Sequence, residues 1–401
     1  MTTLTPPVLI AGGGIGGLTL ALALASWGRA SHILEARPVF SEAGAGIQLG
    51  PNATRILKQI GVAARLAESV SCPTAVKVRD AVTGKPLTEL PLGDWMNRRH
   101  HSPYWVAHRA DLQSALVASA KASPLIEISM NARITAFKEG SDDVTVKCES
   151  GAAAQGCVLV GADGLWSSVR TLMQPSFKLR YSGTTAARTV LRRSEVPDEF
   201  MDGATGAWLA PTAHVVHYPI QAGNALAIVV ITTGPQPAEG WGIPIPAAEI
   251  MTRVSEYDYP LHSLLARAEN WHRWALFDPD PVRHWSHGRT TLLGDAAHPI
   301  LPFLAQGGAM AIEDAVVLAW ELTRHEGSHD IAFQAYEAQR QHRVRKVQKT
   351  SRENGTAYHL KGMAASARNL ALASMPPQRI MQRYDWIYGW RHDQEYGEIE
   401  L

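Results

Sequence analysis

Apolar and polar positions along this chain fall into a repeating succession from the start. Twenty-eight residues pass before the first formal side-chain charge, Arg29. Within that run, VLI at 8–10 is short and β-branched, AGGGIGG follows, and an Ala/Leu-rich segment leads to Trp27-Gly28. The order predicts a strand, a tight turn and a helix with Gly28 as its C-cap. ASHIL at 30–34 predicts a second strand ending at Glu35, and the glycine-rich RPVFSEAGAGIQLGP at 37–51 predicts a loop. NATRILKQIG predicts a helix from near Asn52 to Gly61, and HRADLQSALVASAK at 108–121 has apolar residues at helical spacing. VTVKC at 144–148 and CVLV at 157–160 predict strands, the second ending in GADG at 161–164.

From about residue 180 to 275 the period changes to two, broken by Pro and Gly, as in AHVVHYPI at 213–220 and again over 225–233. Such alternation predicts a mainly β region. TTLLG at 290–294 then predicts a buried strand, followed by Asp295 and a helical zone from about 308 to 372. The expected fold is α/β: a Rossmann-like nucleotide-binding domain over residues 1–72, 96–178 and 281–372, the last part ending in a C-terminal helical region. Into it are inserted strands at 73–95 and a mainly β substrate domain at 179–280; an aromatic tail at 373–401 follows.

Composition narrows the function classes. With 401 residues, the chain is long for one domain. It is 46% hydrophobic and 19% charged with a net charge of +1, which gives no global pull toward nucleic acid. The opening run is long enough for a membrane helix, yet its glycine turn and the absence of a basic lead argue against both a membrane span and a signal peptide. Cys72, Cys148 and Cys157 are scattered without a C-x-x-C pair, which fits a reducing, cytoplasmic setting and no metal site. The basic run RQHRVRKVQKTSR at 340–352 reads as a solvated helix face. The tail YDWIYGW at 384–390 reads as packing against the body or a second subunit, so a homodimer is among the expectations.

Gly12, Gly14 and Gly17 stand at G-x-G-x-x-G spacing, with Ile15 and Gly16 opening the helix. The first glycine permits the turn, the second lets backbone approach a pyrophosphate, and the third lets helix pack on strand. The helix N-terminus offers free N–H groups to phosphate. Glu35, about 20 residues on, suits an adenosine ribose. NAD, NADP and FAD all remain open on these residues.

His108-Arg109 before a helix, GADG at 161–164 and LGDAAHP at 293–299 occur in an order that resembles the single-component flavoprotein aromatic hydroxylases, the p-hydroxybenzoate hydroxylase family. Through GAGIQLGPNA, RDAVTG, PYWVAHRADL, HVVHYPI and AQGGAMAIEDA the chain looks most like 3-hydroxybenzoate 6-hydroxylase and the salicylate hydroxylases. The resemblance covers nearly the whole chain. It implies an FAD-dependent monooxygenase that uses NAD(P)H as a transient co-substrate and O2 to hydroxylate a small aromatic acid through a C4a-hydroperoxyflavin. It implies cofactor contacts from Glu35, Ala36, Arg37, Gln48, Arg109, Asp163, Gly294, Asp295 and Pro299. Gly307 and Gly308 open the next helix and would turn its dipole on the flavin.

For the substrate, alternation puts His214, Val216 and Tyr218 on one face of a strand and Val215 and His217 on the other. His214 and Tyr218 match a histidine and tyrosine that the resembled enzymes place at the substrate, implying a proton acceptor and an orienter. Asp80 and Tyr104 match neighbouring positions, although Asp80-Ala-Val-Thr-Gly also reads as a hairpin turn. Where the 3-hydroxybenzoate enzymes carry a glutamine, this chain has Pro302, with Gln306 four residues later. That departure leaves salicylate-type decarboxylative hydroxylation or a heteroaromatic acid as alternatives. A flavin dehydrogenase or oxidase of the same fold, and an NAD-only Rossmann protein, are the other classes. No arginine of the β insertion stands out as a carboxylate anchor.

Overall fold

The computed structural model describes residues 6–40, 46–237, 241–279 and 282–392. Its first sheet runs, edge to edge, Ser286–His287, Thr290–Leu292, Val158–Gly161, Val8–Ala11, Ser31–Leu34 and Ile126–Ser129. All these neighbours are parallel except the antiparallel Ser286–His287 edge. The uncharged opening run is explained by its place. The helix Ile15–Ser26 buries nearly every residue from Ile15 to Leu24, and Gly16 meets Leu293 and Ala311 across its far side. A helix apolar on all sides is a core helix. Among the described residues no helix is long and apolar enough to cross a membrane.

The second sheet has eight strands, in the order Trp241–Ile245, Trp271–Phe277, Tyr181–Arg192, Ala225–Thr233, Ala213–Ile220, Thr205–Leu209, Ala75–Asp80 and Pro86–Pro91. The strands expected at 213–220 and 225–233 have those bounds, and Ala75–Asp80 and Pro86–Pro91 join this sheet at its edge. One face packs on the first domain: Tyr218 and Ala227 belong to the large core that also holds Leu9 and Ile10. The other face closes a second core around Val215, Ile228, Leu261 and Trp271.

Two expectations are corrected and one is refined. The stretch expected as a loop at 37–51 contains a strand, Gly46–Leu49, paired with Trp105–His108; its residues 41–45 lie outside the described residues. Two β-prone residues opposite a complementary edge overrode the local glycine content. The helical zone is three helices, Gly307–Arg324, His329–Tyr358 and Gly362–Ser374. Thirdly, the basic run is not simply a solvated face, since Arg340 and Arg343 are buried.

Those two arginines anchor a network inside the protein. Arg340 Nε donates to Asp314 Oδ1 at 2.6 Å and its Nη1 to Glu313 Oε2 at 2.7 Å. Arg343 grips Glu313 through Nε and Nη2, and donates to the Trp386 and Ile387 carbonyls. The indole of Trp390 lies 5.3 Å from each guanidinium. The aromatic tail therefore packs on its own chain, and its described part gives no argument for a second subunit; residues 393–401 lie outside the described residues.

Burial alone would raise both carboxyls. Arg343 and Arg340 beside Glu313, and His298 and Arg340 beside Asp314, instead hold both below the usual carboxylate range. Glu313→Gln would leave the Arg343 charge without its counter-ion, at a cost of roughly 3–5 kcal/mol. Urea unfolding should show that loss at neutral pH. Because both folded values are depressed, this stability is complete above the unfolded values of about 4 and falls away at lower pH. The difference between wild type and variant should shrink correspondingly in acid; a gap unchanged down to the acid limit would count against the network.

Candidate active site

The glycine loop does what its spacing requires. Gly12 has φ +100°, and a Cβ there would sit 2.7 Å from the Ala162 carbonyl oxygen. A Cβ on Gly17 would lie 2.1 Å from the Gly12 oxygen. Gly14, by contrast, has nothing within 4 Å of a Cβ, and the helix it precedes has no side-chain cap. Space and free N–H groups thus coincide where a pyrophosphate would lie. Glu35 is 4% exposed and accepts from Gly13 N at 2.8 Å and from Arg37 N and Nε at 2.9 and 3.0 Å. Desolvation opposes its charge, but these bonds from Arg37 and Gly13 hold its carboxyl below the usual range.

The expected residues at the other end converge from distant stretches. Asp295 follows the Thr290–Leu292 strand in a short 3-10 turn that Gly294 enters at φ +60°. Its side chain is exposed, yet protein surrounds it closely enough that desolvation raises its carboxyl against the pull of His298, Arg109 and Arg170. Exposure within such dense surroundings marks the wall of a cleft. Arg109, first residue of the helix Arg109–Lys121, acts electrostatically on Asp295, Tyr218 and Arg188, so its charge lies within reach of all three. Gln48 accepts from the Tyr104 hydroxyl at 2.6 Å. Gly307 and Gly308 begin the next helix, where a Cβ on Gly307 would meet nothing within 4 Å.

Below the cleft, the Glu313–Asp314 network sets the loops. Asp314 accepts from Gly294 N and from His298, so His298 shapes the loop. Asn52 Nδ2 donates to Glu313 at 2.7 Å and to Gln306 Oε1 at 3.0 Å. Gln306, expected at the substrate, is 1% exposed and is held by Asn52. Arg170 was not legible in the sequence: it donates to the Asp295, Ala296 and Leu165 carbonyls and so ties the GADG loop to the GDAAHP loop. Asp163 caps the helix Ser168–Met173 through Ser167 and Val169 N. Pro299 lends its carbonyl to Gln348.

On the second sheet, His214 and Tyr218 share the face turned to the cleft, with Val216 between them. Both are buried, at 1% and 5% exposed. His214 Nδ1 is 2.9 Å from His359 Nε2, a partner from beyond the 329–358 helix that no local pattern announced. Burial, then the neighbouring His359, pushes the His214 pKa down to about 3. The Tyr218 hydroxyl donates to the Gly46 carbonyl at 3.2 Å. Phe303 and Tyr358 complete the wall around His214, with ring centres 5.6 and 5.2 Å away. Pro302 begins the 3-10 turn that carries Phe303. Of the two readings of Asp80, the hairpin turn accounts for one oxygen, bonded to Val82 and Thr83; the other accepts from Asn369.

A dinucleotide with a planar, anion-stabilised ring fits these residues. The Gly14 gap, the Asp295 wall and the open Gly307 helix start are three separated places where a side chain is absent or unspent. The FAD binding domain family model matches residues 5–351. The chain is 38% identical to 3-hydroxybenzoate 6-hydroxylase 1 of Aquipseudomonas alcaligenes, over 97% of this chain and 99% of that protein. It is 36% identical to a 3-amino-4-hydroxybenzoate 2-monooxygenase of Streptomyces platensis, over 96% of each. Among solved structures, Klebsiella pneumoniae HpxO complexed with FAD and uric acid superposes with a TM-score of 0.83 at 26% identity, over 94% of this chain and 95% of that one.

Gly17→Ala should cost the purified protein its dinucleotide, because the new methyl must displace the Gly12 backbone. Gly14→Ala should lose it too, but with the stability of the fold kept, since its methyl meets no protein atom and enters only the space the pyrophosphate would take. Visible absorbance per protein and thermal unfolding measure the two effects, and a Gly14→Ala protein that keeps its full dinucleotide would contradict the loop geometry.

Proposed function

The chain belongs to the FAD binding domain family, and from that premise we propose that it is a monooxygenase hydroxylating a small hydroxy-aromatic carboxylate, with O2 and NAD(P)H as co-substrates. One observation carries the reading: a buried, neutral histidine and a tyrosine share one sheet face, with His214 against Phe303 of the turn before the Gly307 helix and Tyr218 within electrostatic reach of Arg109, which also acts on Asp295. Relatives named for 3-hydroxybenzoate and 3-amino-4-hydroxybenzoate support the substrate class. When bound, the flavin accepts reducing equivalents from the nicotinamide and activates O2 for insertion of one oxygen atom into the ring.

The chain's own residues orient the acceptor and handle its proton. Phe303, Tyr358 and Val216 exclude water around the ring, which strengthens each polar contact inside. The aromatic ring attacks best when its phenol is ionised, and a free phenol has a pKa near 10. His214 has no bond at Nε2 among the described residues, so this nitrogen is available to the phenol. With a folded pKa of about 3, His214 does not keep the proton it receives. In the tautomer with Nδ1 protonated, Nε2 takes the phenol proton while Nδ1–H passes to His359 Nε2. His359 is half-buried at a helix C-cap; burial and then Arg368 hold its pKa below the usual imidazole value, so it hands the proton on to solvent rather than keeping it. The nicotinamide reductant and three free cysteines also support a cytoplasmic setting.

The test is NAD(P)H oxidation by the flavin-loaded protein against a panel of hydroxybenzoates and hydroxylated heteroaromatic acids, with products identified by mass. Stimulated oxidation with a product one oxygen heavier is expected. Loss of CO2 as well would assign the decarboxylative reaction, and peroxide without product would sink the proposal. His214→Asn should lower kcat by roughly 10²–10⁴-fold at neutral pH. The deficit should shrink as pH approaches the phenol's own pKa, because hydroxide then supplies the phenolate. A deficit constant with pH would remove His214 from the proton path.

A further inference from the structure

The residues in register across the cleft-facing side of the second sheet show how the acid end of a substrate is held. Val216 pairs with Val229, and Val229 pairs with Arg188, so these three form one row. The adjacent rows are His214–Ile231–Ala186 and Tyr218–Ala227–Val190. Val216, Val229 and Arg188 are partly exposed and Val190 beside Arg188 is exposed, whereas His214, Ile231, Ala186, Tyr218 and Ala227 around them are buried. The open strip of this face is therefore an apolar floor ending in a guanidinium.

Arg188 makes no side-chain hydrogen bond and no ion pair among the described residues, and its Nε is buried without a partner. Its guanidinium lies 5.0 Å from the Trp274 ring centre, which orients the plane without neutralising it. Desolvation lowers its pKa; the charge of Arg109 adds to that, and only Tyr218 opposes it. A desolvated cation near a second cation is costly unless an anion arrives. Other buried arginines of this protein are supplied with acceptors: Arg340 and Arg343 have carboxylates and Arg170 has three carbonyls.

We propose that Arg188 binds the carboxylate of the aromatic substrate, with the ring on Val216 and Val229 and the phenol at His214. The spacing allows it. With strands roughly 4.8 Å apart and roughly 3.3 Å of rise per residue, the His214 and Arg188 backbones are roughly 12 Å apart. Side chains reaching out from both leave the span of one benzene ring bearing a hydroxyl and a carboxylate. A planar guanidinium suits bidentate contact with a carboxylate. Arg188 would then set the preference for acids over neutral phenols.

This inference rests on the aromatic-acid reading above, and the experiment separates the two. Binding of 3-hydroxybenzoate and of its neutral analogue 3-hydroxybenzamide is measured through the perturbation of the flavin spectrum. The wild type should prefer the acid by on the order of 100-fold, the worth of a charged hydrogen-bonded contact. Arg188→Gln should abolish that preference by weakening the acid about 100-fold while leaving the amide within about twofold. Wild type that binds acid and amide equally, or a variant that loses both alike, overturns the anchor but not the aromatic-acid reading. Wild type that binds no aromatic acid overturns both. If Arg188→Gln fails to fold, an absent wild-type preference still overturns the anchor, and Arg188→Lys, which keeps the charge without the planar fork, should retain only part of the preference.

Discussion

Two adjacent acids at the heart of the protein, Glu313 and Asp314, must be charged where there is no water, and much else follows from meeting that requirement. Two guanidiniums meet it from the next helix. The spare oxygen capacity of the acids then reaches the loops above: Gly294 and His298 through Asp314, Asn52 and in turn Gln306 through Glu313. Arg343 spends its remaining donors on the tail's carbonyls, and the tail's indoles cover both cations. A cluster with almost no solvent contact thus fixes the positions of the loops above it. Removing any member would not simply cost one bond; it would strand the others.

What was legible in the sequence was whatever depends on short spacing. Gly12, Gly14, Gly17 and Glu35 stand at distances set by one strand–turn–helix–strand unit, so their gathering at one turn could be read before any folding. His214 and Tyr218 were legible as one face because a strand has period two. Their setting was not. His359 reaches His214 from 145 positions away, and Arg170 ties a loop 125 positions downstream. Nothing local distinguishes the buried Arg340 and Arg343 from the exposed bases beside them, since burial of that helix is decided by what packs on it. Gln306 likewise looked like a pocket amide, and only the position of Asn52 explains why its oxygen is already engaged. The strand Gly46–Leu49 was hidden because its pairing partner lies more than fifty residues on.

The second sheet divides its labour by face. The side toward Leu261 and Trp271 is a conventional apolar core. The side toward the nucleotide domain is largely buried and opens along the Val216–Val229–Arg188 row toward Val190. Specificity in this arrangement is written in register: moving one strand by two residues would preserve every hydrophobic contact in kind and still separate His214 from the Arg188 row. This gives a physical reason for the long, regular pairing between Tyr181–Arg192 and Ala225–Thr233, which continues over nine residue pairs without a break.

The order of strands in the first sheet governs how the chain reaches this state. Val8–Ala11 takes Ser31–Leu34 on one side but waits for Val158–Gly161 on the other, and that strand waits for Thr290–Leu292. Contacts so distant in sequence carry a large loop-closure entropy and are made late. During synthesis the glycine loop emerges first, while the acids and arginines beneath the cleft emerge more than three hundred residues afterwards. The eight-stranded sheet is nearly all available before then. The nascent chain therefore carries a mostly finished insertion inside an unfinished host, and the apolar Ile15–Ser26 helix lacks its covering helix until Gly307–Arg324 has been made. Protection of that segment in the interval becomes a task for the cell rather than for the fold.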